Sequence, residues 1–124
     1  MQNLEQLRAA AALGPAKNLD RSAISKLPAL IISNGLLATA AFCIAEGGGD
    51  NKKDMKLALD ATAAHLAARQ IIGQQNNTAR GIIEDLSSPG RDAIHLQRAT
   101  AEALAFLSYL KRFAPKKTGD NEEN

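Results

Sequence analysis

Apolar residues return at three- and four-residue intervals along most of this chain, the period of a helix packed on one side. Leu4, Leu7 and Ala11 begin the pattern, with Asn3 placed to cap a helix running to about Asp20 and Glu5 in its first turn. Gly14-Pro15 predicts a kink or break in its second half. A second element begins between Arg21 and Lys26. Pro28 costs about 3 kcal/mol inside a helix, so a helix start is expected beside it. Asn34-Gly35 predicts a stop or sharp kink, because both residues accept left-handed dihedrals. Helix resumes over Leu36 to Glu46, and Gly47-Gly48-Gly49 ends it.

Asp50 or Asn51 is expected to cap a helix over residues 52 to 72. Met55, Leu59, Thr62 and Leu66 form one stripe on it, and Leu57, Ala61, Ala64, Ala68 and Ile71 a second. A helix apolar on two faces is sandwiched between neighbours. Gly73 and the following QQNN end it, Thr78 to Leu86 is a short helix, and SSPG is a turn. The last helix runs from Pro89 or Gly90 to Ala114, where Pro115 stops it. Leu96, Ala99, Ala103, Phe106, Leu110 and Phe113 make its inner face, with Arg98 and Arg112 opposite and Lys111 at the edge. The expected fold is all-α: a compact single-domain bundle of about five to seven helices spanning residues 1–115.

Residues 27 to 45, LPALIISNGLLATAAFCIA, carry no charge between Lys26 and Glu46. The run is long enough to span a bilayer. Pro28, Ser33, Asn34 and Gly35 would open backbone groups to lipid, however, and no Trp or Tyr flanks it. A membrane span is therefore not expected. Part of the run is expected in the core. Leu30, Ile31, Ile32, Leu36 and Leu37 project in several directions across the kink, so they are the expected partner-facing patch.

Composition supports a helical reading. Hydrophobic residues make up 45% of the 124 positions but aromatics only 3%, so alanine and leucine must fill the core. A single cysteine, Cys43, excludes an intramolecular disulfide and suits a reducing, cytoplasmic setting. The opening MQNLEQLRAAAAL lacks the basic and apolar regions of a secretory signal. Net charge is +2, but Asp120, Glu122 and Glu123 lie in the last seven residues, leaving the body before them more basic than the total suggests. Residues 116–124 are expected to be a disordered acidic tail.

Little in the chain points to catalysis. His65, His95 and Cys43 have no metal-ligand spacing, and GGGDNKK lacks the ending of a phosphate-cradling loop, so it is expected to be a connector. Glu84 and Asp85 are adjacent on a helix and point to different sides, which argues for solvation over paired acid–base work. No enzyme activity, metal, cofactor or small-molecule substrate is expected.

The stretch SKLPALIISNGLLATAAF, with LEQLRAAAAL before it and EALAFLSYLKRFA after it, resembles the small α-helical subunit of the CRISPR type III-B (Cmr) RNA-targeting effector complex. The resemblance covers roughly the first 46 residues and residues 96 to 115. Tyr109 stands where the family often has Trp, and GGGDNKKD and the acidic tail are particular to this chain. The resemblance implies a non-catalytic helical subunit present in several copies. These copies stack head to tail beside a filament of backbone subunits, with guide RNA and target RNA between the filaments. The implied partners are the backbone subunit, further copies of itself, and both RNAs. Lys26, Arg98, Lys111, Arg112, Lys116 and Lys117, grouped on or near exposed helix faces, are the expected contacts to the RNA backbone. Few aromatics argue against a base-stacking platform. The competing reading is a helical adaptor that forms homo-oligomers without touching RNA. A helix-turn-helix DNA reader fits less well, since the candidate recognition helix LLATAAFCIA is almost wholly apolar.

Overall fold

Asn3 starts the first helix through a reciprocal cap. Its side chain accepts the Gln6 N–H at 2.9 Å, and the Gln6 side chain accepts the Asn3 N–H at 2.8 Å. The computed structural model describes residues 1–116, so the acidic tail from Lys117 onward lies outside the described residues. Helix α1 spans Leu4–Ala16 and contains Pro15 in its last turn, ending short of the expected Asp20. Proline there removes only one hydrogen bond, and the helix stops one residue later rather than kinking. Asp20 then caps α2, Arg21–Ile24, by accepting the Ser22 N–H at 3.1 Å.

Helices α3, Leu27–Asn34, and α4, Leu36–Ile44, are joined by a single residue, Gly35. Pro28 occupies the first turn of α3, as its missing N–H requires. Gly35 has φ 96° and ψ 158°, a region open essentially to glycine alone, and this one residue turns the chain between the two helices.

Helix α5, Asp50–Ala68, begins earlier and ends earlier than its pattern suggested. Gly49, not Asp50 or Asn51, precedes it, with no side-chain cap. At the other end Gln70 takes φ 63°, the Ile71 N–H bonds the Leu66 carbonyl, and the Gln70 N–H bonds that of Ala67. This is a Schellman stop with glutamine in the left-handed position. Gly73, which looked like the terminator, belongs to the following loop. After a 3-10 turn at Gln74–Asn76 come α6, Ala79–Leu86, capped by Thr78, and α7, Ala93–Phe113, capped by Asp92. The last helix starts after the SSPG turn rather than within it.

Seven α-helices and no strand make up the described residues. Helix α5 is the hub, touching α1, α2, α4, α6 and α7, and α7 lies along α1. The stripe Met55, Leu59, Thr62 and Leu66 is buried as its spacing required. The second stripe is buried only in part: Ile71 is in the core and Ala61 packs against it, but Leu57, Ala64 and Ala68 face outward. Leu57 is 41% exposed, and Ala58, Ala63 and Ala67 take the inner positions instead. Five neighbours close most of α5, and alanines let them approach closely. The outward strip falls on Leu57, Ala64 and Ala68. In α7, Ala99, Ala103, Phe106 and Leu110 are fully buried, Leu96 partly, and Phe113 remains 38% exposed at the end.

Candidate nucleic-acid and partner interface

Where α7 ends, Arg21 fixes the exit of the chain. Its guanidinium donates to the Ala114 carbonyl at 2.9 Å, and its backbone N–H to that of Pro115 at 2.9 Å. Lys111, Arg112 and Lys116 are exposed at this end, and none is in an ion pair among the described residues. Lys26 is exposed just after α2. Arg98 is exposed too, but at 1.5 Å per residue it lies about 20 Å along α7 from Lys111. The fold therefore gathers Lys111, Arg112 and Lys116 and leaves Arg98 apart. Lys117 lies outside the described residues.

The expected apolar patch divides. Ile32 is 74% exposed, Leu30 and Leu37 are half-buried, but Ile31 and Leu36 are 2% exposed and belong to the core. The reason is the Gly35 turn, which sends Leu27 and Ile31 from one side and Leu36 and Ala40 from the other into the same interior. Two apolar depressions flank the turn. A small one of about 120 Å³ lies between α3 and α4, lined by Leu30, Ala38 and Phe42. A wider groove of about 380 Å³ runs from Gly35 and Leu36 to Leu96, Ala101 and Leu104 of α7. Exposed Phe42 and Ile94 were not singled out from the sequence, since isolated apolar residues near helix ends carry no periodic signal.

Also missed was a buried polar cluster. Arg8 of α1 donates from Nε and Nη2 to both oxygens of Glu102 in α7, each at 2.8 Å. His65 of α5 meets the same carboxylate from Nε2 at 2.8 Å and stacks on Phe106 with ring centroids 4.8 Å apart. Burial alone would push the Glu102 carboxyl up, but hydrogen bonds from Arg8 and His65, and their charges, hold it below the ordinary range. A signal existed: Glu102 falls at helical spacing among Ala99, Ala103 and Phe106, so a charge on an inner face was visible. With its carboxylate fully engaged, the cluster fastens three helices rather than presenting a reactive group.

Of the remaining titratable candidates, His95 and Asp85 have structural partners. His95 Nε2 bonds the Ile71 carbonyl at 2.6 Å. Burial pushes the Cys43 thiol up to about 11, with nearby Lys52 pulling the other way. Of the adjacent carboxylates, Glu84 is exposed, but Asp85 is not solvated as expected. It accepts from Arg91 Nε and from the Gly73 N–H, both at 2.8 Å. Burial would raise its carboxyl, but those bonds and the charge of Arg91 lower it. Among the described residues no group of side chains could hold a metal ion, and no helix is long and apolar enough to cross a membrane.

Comparison with curated proteins and with solved structures returned no match. A family model does match, and its span includes the middle of the chain, where the resemblance read from three segments was weakest. The CRISPR-associated protein (Cas_Cmr5) family matches residues 4–116, from the first residue of α1 to just beyond α7, and the chain belongs to that family.

Proposed function

We propose that this chain is a non-catalytic structural subunit of a type III-B CRISPR (Cmr) ribonucleoprotein effector acting in antiviral defence in the cytoplasm. It stacks head to tail with its own copies beside the backbone subunits and touches the sugar–phosphate backbone of guide and target RNA. Family membership over residues 4–116 carries this reading.

The exposed surfaces of the protein support it. Head-to-tail stacking needs two different patches on one body. Exposed Ile32 and the groove between Leu36 and Leu104 are such patches. The unpaired cations Lys111, Arg112 and Lys116 supply sequence-independent contacts to phosphate, each weak alone and additive over several copies. Lys26 and Arg98 extend that surface elsewhere on the body. Lys111 and Arg112 also lie at the negative end of the α7 dipole.

The test is RNA retention by the assembled effector carrying Lys111→Glu and Arg112→Glu together. Target RNA should bind more weakly, and the slope of log K against log salt should become shallower by about 1.4 to 1.8 for two lost phosphate contacts. Unchanged affinity and slope would remove these two residues from the RNA surface. Purification of the chain with copies of itself alone, free of RNA and other subunits, would favour a homo-oligomeric adaptor.

A further inference from the structure

The expected connector is built around a lysine. Gly47 and Gly48 take φ 95° and 86°, which folds the turn back onto the start of α5. A Cβ on Gly48 would run into Cδ of Lys52 and lie 2.9 Å from its Cβ, so bare backbone packs directly on the lysine stem. The ammonium of Lys52 sits 4.8 Å from the ring centroid of exposed Phe42. The side chain is thus held at both ends, by Gly48 along its stem and by the Phe42 ring at its tip.

Lys52, Lys53 and Lys56 line one cleft of about 370 Å³ between this turn and α5, with Asp50 the only carboxylate among the residues lining it. Lys56 is partly engaged by Asp60 at 3.2 Å, so Lys52 and Lys53 carry most of the free charge. Asp54 is turned away, accepting the Asp20 N–H at 2.9 Å. The residues lining the cleft also include buried Cys43.

We propose that this cleft is a second phosphodiester-binding surface, separate from the end of α7, in which Lys52 and Lys53 hold the backbone of a single-stranded RNA. The inference rests on the reading of the chain as an RNA-contacting subunit and adds a location the sequence did not suggest. Preorganisation of Lys52 distinguishes it from an ordinary surface lysine: less side-chain freedom is lost on binding.

The experiment is titration of the full-length chain with a 15-nucleotide oligouridylate, followed by amide NMR. Shifts are expected over Gly47 to Lys56. Lys52→Gln with Lys53→Gln should abolish them while amide dispersion is retained, and should make the salt slope of binding shallower by about 1.4. Gly48→Ala keeps every charge but displaces Lys52, and should weaken binding severalfold; Phe42→Leu should do the same to a smaller degree. Shifts confined to Lys111–Lys116 would overturn the cleft and leave the RNA-contact reading standing. No shifts anywhere would overturn both. Equal shifts from inorganic phosphate at the same phosphate concentration would mark a free-anion site and overturn the assignment to a strand.

Discussion

Glu102 is an acid on the inner face of a helix, 7% exposed, and it is tolerated because Arg8 and His65 satisfy it. Removing it strands two donors, so Glu102→Ala should lower stability at neutral pH by about 2–3 kcal/mol, read from urea unfolding. Its pH dependence has a definite sign. The folded carboxyl lies below its ordinary value of 4.5, so the folded state binds the proton less tightly than the unfolded chain. The stabilisation is therefore complete above that value and is lost as pH falls through it toward the folded value. Between about pH 5 and pH 3 the wild type should lose more stability than Glu102→Gln, which has no proton to take up there. Parallel acid limbs would show that the cluster contributes nothing through ionisation.

Helices α3 and α4 turn about one residue, and α5 meets α7 in part through the stack of His65 on Phe106. Gly35→Ala has free space for its methyl group, but φ 96° is strained for any side chain. It should cost about 1–3 kcal/mol and loosen the angle between the two helices. Phe106 is fully buried and stacks on His65, so Phe106→Ala should cost about 3–5 kcal/mol by thermal or chemical unfolding. An unchanged melting point would mean that the inner face of α7 does not bear on the core. The helix ends show the limits of pattern reading. Asn3 and Pro28 announce their starts because caps and proline act locally. The end of α5 is set by Gln70 in a left-handed conformation that glutamine does not advertise.

At the scale of the whole molecule, the proposed stacking has a direct test. Ile32 is exposed, so Ile32→Asp should leave the melting temperature within about 2 °C of wild type, since exposed substitutions rarely exceed 0.5 kcal/mol. It should also reduce incorporation of the chain into the effector, measured by co-purification. Incorporation equal to wild type would exclude Ile32 from the stacking surface. Ile31 and Leu36 cannot be tested this way, because they are buried in the core and charge there would unfold the chain.

Helical class, the cap at Asn3, the short helix ending at Leu86, the Gly35 turn and the family were legible in the chain itself. All of these depend on local preference or on order along the sequence. Which apolar residues stay outside was not legible. Leu57 and Ala58, or Ile31 and Ile32, are neighbours in sequence, and only the placement of surrounding helices decides which of each pair is buried. The same holds for charge. Arg8 and Glu102 are 94 positions apart and become partners only when α1 lies along α7. Lys52 becomes a fixed cation only when the Gly47–Gly48 turn folds over it. Local propensity acts over a few residues, whereas burial and charge pairing depend on contacts between distant parts of the chain.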